Sequence, residues 1–149
     1  MPIGIGNVHL IRPKSKSIPD ILIPARLILV QGKVISGLGR AGYFLCREGY
    51  SRQFRDKLGY IPFPGTLNVL LDQPFPARAP CIPVIGFSEG KESFGGCQCY
   101  RIRINGLDGA VIRPEKSCHP PELIEVISSV SLRRTLHLND GDSVEVELA

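Results

Sequence analysis

The sequence predicts a compact, mainly β domain, either a barrel or an α+β fold, with one or two short helices. Sixteen glycines and thirteen prolines interrupt the 149 residues and leave little room for long helices. Several short segments alternate apolar and polar residues, which is typical of half-buried strands. The 43% of hydrophobic residues suffice for one core, and no apolar run reaches the length of a membrane span.

The predicted strands follow one another with turn residues between them. They comprise residues 26–37, 66–71, 82–87, 97–104, 109–114 and 143–149. The third and fourth of these are expected to pair around the polar segment SEGKES. Residues 122–127 (ELIEVI) fit a strand or a helix equally well. Residues 1–20 contain three prolines and no sustained period, so they are interpreted as a loose extension.

Two segments predict helices. Residues 50–58 place a tyrosine, a phenylalanine and a leucine four residues apart, and Gly59 follows as a helix stop. Residues 131–138 predict a second short helix with Ser131 as its N-cap.

Charge and cysteine content suggest the kind of ligand and the compartment. Residues 1–70 hold ten basic and three acidic residues, whereas the remainder holds eight basic and eleven acidic ones. The basic part suits a phosphate or nucleic acid, or is simply a solvated surface. Five cysteines and no recognisable signal peptide predict reduced thiols in a cytoplasm. Cys97 and Cys99 would share one face of a strand, as small core residues rather than zinc ligands.

A glycine-rich segment, SGLGRAGYF at residues 36–44, follows the first predicted strand. Glycines let backbone N–H groups approach phosphate oxygens closely. The spacing reads G-x-G-x-x-G, but no βαβ unit surrounds it, which disfavours a dinucleotide-binding Rossmann domain. The chain also lacks the G-x-x-x-x-G-K-[ST] loop of P-loop nucleotidases. Taken alone, the segment predicts a hairpin or bulge, with a phosphate-binding loop as the functional alternative.

A second segment, PFPGTLNVL at residues 62–70, turns tightly into a strand. Thr66 and Asn68 stand two residues apart, so their side chains should leave the same face of that strand. Two neutral oxygen ligands can hold Mg²⁺ beside substrate phosphates, because this ion completes its shell with phosphate and water. Ordinary turn chemistry is the alternative.

A third segment gathers a hydroxyl, an imidazole and carboxylates at Ser117, His119, Glu122 and Glu125. No Ser/His/Asp order singles out a hydrolase. Glu125 lies in an apolar stretch, where a carboxylate needs a partner. The candidates are Arg133 or Arg134, or a hydroxylated ligand.

These segments together resemble the archaeal CTP-dependent riboflavin kinases over about residues 31–148. The resemblance rests on the ordered set VISGLGRAGYF, PFPGTLNVLL, DGAVIRP-x-KS-x-H, ELIEVI, SLRRTL and LNDGDSVEVEL. It implies a six-stranded cradle-loop β-barrel over residues 31–149, preceded by an N-terminal extension, residues 1–30. It also implies transfer of the γ-phosphate of CTP to the 5′-hydroxyl of riboflavin, which gives FMN and CDP. We expect a cytoplasmic monomer without membrane or nucleic-acid partners.

The same resemblance implies the site residues. The nucleotide phosphates would be held by Leu38, Gly39, Arg40, Ala41, Gly42 and Tyr43. The segment that closes around the nucleotide would comprise Val130, Ser131, Leu132 and Arg133. Thr66 and Asn68 would ligate the Mg²⁺ of the CTP complex, while Ser117 and Glu125 would contact the flavin. Glu125 is the one candidate for a catalytic role.

Three positions depart from the family's pattern, and two other function classes remain. The family's usual glycine and larger residue are here Ala41 and Gly42, and its usual threonine is Ser117. A flavin- or nucleotide-binding sensor without activity is therefore one alternative. A nucleic-acid-binding barrel is the other, favoured by the basic N-terminal half but lacking the interleaved aromatic pattern of an RNA-binding sheet.

Overall fold

The computed structural model describes residues 27–37, 39–76, 80–116 and 119–148. The strands in these ranges are β1 (Ile28–Ile35), β2 (Leu67–Leu71), β3 (Ile82–Val84), β4 (Phe87–Glu89), β5 (Glu92–Phe94), β6 (Cys97–Ile104), β7 (Leu107–Pro114), β8 (Leu123–Ile127) and β9 (Ser143–Leu148). The helices there are α1 (Ala41–Leu45), α2 (Glu48–Leu58) and α3 (Leu132–Thr135). None of the helices within these ranges is long and apolar enough to cross a membrane.

Six strands close into an antiparallel barrel in the order β6, β7, β8, β2, β1 and β9. Closure occurs where β9 pairs back with β6, through Arg103 with Glu147 and Ile104 with Val146. Strand β3 pairs with β6 in antiparallel orientation, with Ile82 opposite Cys99. Strands β4 and β5 form a separate two-stranded hairpin. The predicted mainly β, six-stranded barrel is therefore confirmed.

Side-chain alternation along the strands fills the barrel interior with aliphatic residues. Cross-strand partners such as Val34 and Val69, or Val111 and Val126, point to the same face and are fully buried. The ambiguous segment ELIEVI is strand β8, because it pairs on both sides, with β2 and with β7. A helix at this position would leave both neighbouring strands without partners for their backbone groups.

A second apolar cluster lies outside the barrel wall, under α1 and α2. Leu45, Phe54 and Leu58 from the helices pack with Cys97 and Cys99 of β6 and with neighbouring strand residues. The two cysteines are buried on one face, as predicted. Helix α2 contains the predicted helical segment.

The C-terminal end of α2 is fixed in two ways. Gly59 follows the helix in the left-handed conformation, with φ of 94°, as its position in the sequence predicts. Arg101 of β6 donates to the carbonyl of Lys57 at 2.8 Å and to that of Leu58 at 3.3 Å. A cation at these carbonyls satisfies acceptors that the helix leaves open.

Two local predictions were wrong or incomplete. The glycine-rich segment leads into helix α1 rather than a hairpin, because Ala41 and Leu45 pack against the outer cluster. The polar segment SEGKES belongs to its own hairpin, β4–β5, which turns at Gly90 with φ of 63°. Neither the helix nor the hairpin has a period long enough to be recognised in the sequence.

The second predicted helix is shorter than expected. Ser131 is its N-cap as predicted, and its Oγ accepts a hydrogen bond from the Arg134 backbone N–H at 3.3 Å. The helix ends at Thr135 rather than near Leu138, because His137 takes a positive φ of 54°. Residues 1–26, most of the expected extension, lie outside the described residues, and β1 begins at Ile28.

The outer cluster should contribute much of the stability. Phe54 is 1% exposed, so Phe54→Ala is expected to lower the free energy of unfolding by about 3–5 kcal/mol. Arg55→Ala, at the next and exposed position, is the matched control, with an expected change below about 0.5 kcal/mol. Chemical denaturation of both variants measures this, and equal losses would mean that α2 is not packed as described.

Candidate functional site

Three oxygen-bearing side chains converge on the outer face of the barrel wall. Asn68 on β2 is paired with Ile35 of β1 on one side and with Glu125 of β8 on the other. The Thr66 hydroxyl donates to Asn68 Oδ1 at 2.9 Å, and it lies 3.5 Å from Glu125 Oε1. The predicted common face of Thr66 and Asn68 is thus confirmed, and Glu125 joins them. We call these three residues the oxygen trio.

The position of Thr66 follows from the turn that precedes β2. The Gly65 N–H donates to the Phe63 carbonyl at 2.8 Å and closes this turn. The Phe63 N–H donates to the Ser128 carbonyl at 2.8 Å, which ties the turn to the residue that follows β8. These two hydrogen bonds fix the turn, and the turn places the Thr66 hydroxyl beside Asn68.

The glycine-rich segment lies directly against the oxygen trio. A Cβ added at Gly37 would overlap the Asn68 side-chain amide, so only glycine fits there without displacing it. A Cβ at Gly42 would come within 3.2 Å of the Pro64 carbonyl oxygen. The chain between β1 and α1 thus passes along both the trio and the turn before it.

The predicted phosphate-loop residues take different positions in this segment. Gly39 and Arg40 are exposed, and Gly39 has a positive φ of 73°. Ala41 and Gly42 are half-buried in α1, where Ala41 packs against the outer cluster. Tyr43 is exposed, and its hydroxyl donates to Glu92 Oε1 at 2.7 Å. Leu38 lies outside the described residues, as does Ser117.

Asp140 links the two chain segments that the resemblance assigns to the nucleotide. The Ser36 hydroxyl donates to Asp140 Oδ2, and Arg133 Nη2 donates to Oδ1 at 3.0 Å. These hydrogen bonds, that from Ser36 first, hold the pKa of the Asp140 carboxyl below its usual range. Ser36 lies at the start of the glycine-rich segment and Arg133 lies in α3, so one carboxylate joins the two.

The remaining residues of 130–133 differ in what they could offer a ligand. Leu132 is buried in the barrel interior, and the Ser131 hydroxyl caps α3. Val130 is an exposed hydrophobic side chain, and Arg133 is partly exposed. A depression of about 470 Å³ adjoins this segment and is lined by Arg133, Arg134, His137, Leu138 and Asn139. Its basic side chains would favour an anionic group.

Among the described residues, Glu125 forms no ion pair with Arg133 or Arg134, the two arginines named as its possible partners beside a hydroxylated ligand. Arg133 pairs with Asp140, and the side chain that faces Glu125 is the imidazole of His119, whose Nδ1 lies 3.7 Å from Oε2. The physical reason is the strand alternation of β8, which turns Glu125 to the outer face beside Asn68. The Glu125 side chain is 20% exposed, so it keeps contact with solvent or with a bound ligand.

The oxygen trio suits a magnesium ion. Mg²⁺ prefers oxygen ligands at about 2.1 Å in an octahedron, whose neighbouring ligands lie roughly 3 Å apart. The Thr66 and Asn68 oxygens are 2.9 Å apart, and Glu125 adds a carboxylate at 3.5 Å. No group of three or more His, Cys, Asp or Glu side chains placed to hold a metal occurs among the described residues. The spacing of the Thr66 and Asn68 oxygens fits two neighbouring positions of such an octahedron.

Sequence reasoning missed Asp140 as a functional candidate, and it gave Ser36 and Gly37 no individual role within the glycine-rich segment. Asp140 lies in the turn between α3 and β9, and the sequence Asn-Asp-Gly-Asp is fully explained by turn formation. Its contact with Ser36 spans 104 positions in the chain. No local pattern signals a contact between residues so far apart.

Comparison with known proteins agrees with this architecture. The family model described as "CTP-dep_RFKase: Domain of unknown function DUF120" matches residues 34–148. The chain is 49% identical over 121 residues to riboflavin kinase from Methanocella arvoryzae, covering 80% of this chain and 56% of that protein. It is 47% identical over 123 residues to riboflavin kinase from Pyrobaculum aerophilum, covering 78% and 59%. The relative from Ignicoccus hospitalis, also named riboflavin kinase, is 47% identical over 125 residues, covering 80% and 70%.

The chain is close to these relatives in sequence identity but matches only part of their length. The chain spans little more than half the length of the Methanocella and Pyrobaculum relatives. The family model nevertheless extends from the last two residues of β1 through the other five barrel strands to the last residue of β9. The chain therefore belongs to the CTP-dependent riboflavin kinase domain family.

Proposed function

We propose that this chain transfers the γ-phosphate of CTP to the 5′-hydroxyl of riboflavin, giving FMN and CDP. The observation that carries the proposal is the convergence of the glycine-rich segment with Thr66, Asn68 and Glu125 on one face of the barrel. Phosphoryl transfer depends mainly on positioning and on neutralising charge. A loop of backbone N–H groups beside three oxygen ligands offers both.

In this proposal, two segments hold the nucleotide. Residues 38–43 bind the phosphates through backbone N–H groups, and residues 130–133 close around the nucleotide. Arg40 and Arg133 offset negative charge on the transferring group. The hydrogen bonds of Asp140 support this arrangement, because they connect Arg133 to Ser36 at the start of the glycine-rich segment.

Thr66 and Asn68 hold the Mg²⁺ that accompanies CTP. When bound, the ion neutralises phosphate charge and fixes the orientation of the triphosphate. Gly37 has its own part in this proposal, because its lack of a side chain leaves Asn68 where the ion needs it.

Riboflavin approaches from the side of Glu125, and the resemblance assigns a second flavin contact to Ser117. The oxygen of its 5′-hydroxyl forms a bond to the γ-phosphorus, and the bond from that phosphorus to the β–γ bridging oxygen breaks, so that CDP leaves. Glu125 orients a ribityl hydroxyl and is the candidate acceptor of the hydroxyl proton, since its carboxylate is partly exposed beside Thr66. The barrel, which begins with β1 at Ile28, acts as one catalytic domain and a cytoplasmic monomer, and the residues before it form an extension.

The proposal is tested directly by incubating the purified protein with riboflavin, Mg²⁺ and CTP, ATP or GTP, and measuring FMN. We expect FMN to form and CTP to be preferred over ATP in competition kinetics. Equal or better use of ATP would reject CTP as the preferred donor and leave the kinase activity standing. No FMN with any nucleotide would reject the kinase in favour of a binding or sensing role.

The oxygen trio provides a second test. Thr66→Val and Asn68→Leu each remove one oxygen ligand, so we expect turnover to fall at least about tenfold with an unchanged melting temperature. Ser88→Ala removes an exposed hydroxyl from β4 and serves as the control. Near-normal FMN production by both variants at saturating CTP and Mg²⁺ would contradict the metal assignment.

The glycine at position 37 provides a third test. Gly37→Ala would push the Asn68 amide out of place, so we expect turnover to fall at least about tenfold while the barrel remains folded. Gly95→Ala is the matched control, because an added Cβ there meets no atom within 4 Å. Steady-state FMN formation and thermal unfolding of both variants check this, and full activity of Gly37→Ala would show that the position of Asn68 does not matter.

A further inference from the structure

Leu70 is an exposed leucine in the middle of the barrel wall. It lies on β2, its side chain faces outward, and it is 45% exposed. Its neighbours in the cross-strand row are Leu123 of β8 and Lys33 of β1. Packing does not explain an apolar side chain here, because the residues on either side of it along β2 already fill the barrel interior.

Leu70 and Leu123 lie side by side on the outer face, one cross-strand row away from Asn68 and Glu125. Leu70 is two residues from Asn68, and Leu123 is two residues from Glu125, so each pair shares the outer face. Two residues of extended strand span about 7 Å. The ribityl chain of riboflavin, when extended, is comparable in length to that separation.

On the other side of the oxygen trio, the outer face of the barrel is covered by protein. There the next outward positions are Ile127 of β8 and Ala110 of β7, and both are 0% exposed because the outer cluster under α1 and α2 covers them. On the β7 side, Ile112 also packs against that cluster. Of the two directions along β2 and β8, only the one towards Leu70 and Leu123 therefore offers an exposed apolar surface to a ring bound beside the oxygen trio.

We propose that Leu70 and Leu123 form the platform on which the isoalloxazine ring of riboflavin lies, while the ribityl chain runs from there to Glu125. This inference rests on the proposed riboflavin kinase function and adds the ring subsite to it. The two leucines supply apolar contact to one face of the ring, and Glu125 supplies polar contact to the ribityl hydroxyls. Ring and chain thus meet surfaces of matching polarity.

Leu70→Asn tests the platform. The change keeps the side chain's size approximately but replaces an apolar contact of roughly 60 Å² with a polar one, so we expect KM for riboflavin to rise about tenfold. KM for CTP and the melting temperature should not change, because Leu70 is exposed and lies away from the glycine-rich segment. Lumiflavin, which has the ring without the ribityl chain, is the binding probe, and quenching of its fluorescence by the wild-type protein should be lost in the variant.

Two further variants sharpen the result. Leu70→Met keeps an apolar surface and is expected to retain most of the riboflavin affinity. Ile85→Asn changes an exposed hydrophobic residue between β3 and β4 and should leave KM for riboflavin as in the wild type. If Leu70→Asn does not fold, Leu70→Ala takes its place.

The outcomes separate the platform from the proposed function. A wild-type protein that makes no FMN would reject both. An active wild-type protein whose KM for riboflavin and lumiflavin binding are unaffected by Leu70→Asn would reject the platform and leave the kinase standing. A parallel rise in KM for CTP, or a lower melting temperature, would also count against the platform, because it would indicate a general loss of structure.

Discussion

The antiparallel pairing of β2 with β1 on one side and with β8 on the other is the constraint on which the candidate site depends. This register places Asn68 between Ile35 and Glu125, and it places Val69 inside the barrel. A slip of one residue would exchange the two faces, so that Asn68 would point into the apolar interior. The interior valines therefore hold the site's polar residues outward, although they touch no ligand themselves.

The site lies where the helical cover of the barrel ends. Helices α1 and α2 bury one part of the outer face over β6 and β7, and they leave the part over β2 and the start of β8 open. The glycine-rich segment, which joins β1 to α1, runs along the boundary between these parts. A boundary of this kind offers backbone N–H groups, oxygen ligands and apolar surface within a short distance. These are the elements that a phosphorylated nucleotide and a flavin would each require.

The polar contacts of the site connect segments that are distant in the chain. Asp140 joins Ser36 to Arg133, and Glu125 lies between Thr66 and His119. Each contact depends on a charged or hydroxyl group that remains partly exposed. Such contacts add little to stability, because solvent screens them, but they set the relative positions of the groups that they join.

The sequence by itself determined the class of fold and the common face of Thr66 and Asn68. Dense glycine and proline, short alternating strands and the Thr-x-Asn spacing are local features, and the structure confirms the barrel, helix α2 and the shared face of Thr66 and Asn68. Local features succeed here because side-chain alternation and helix stops depend on neighbouring residues only.

Only the tertiary structure decided which residues meet. It brought Asp140 to Ser36, placed residues 41–45 of the glycine-rich segment in helix α1, and selected a strand for ELIEVI. In each case the deciding energy comes from burial or pairing with a segment far away in the chain. Barrel closure brings such segments together, and no window of the sequence contains both members of the pair.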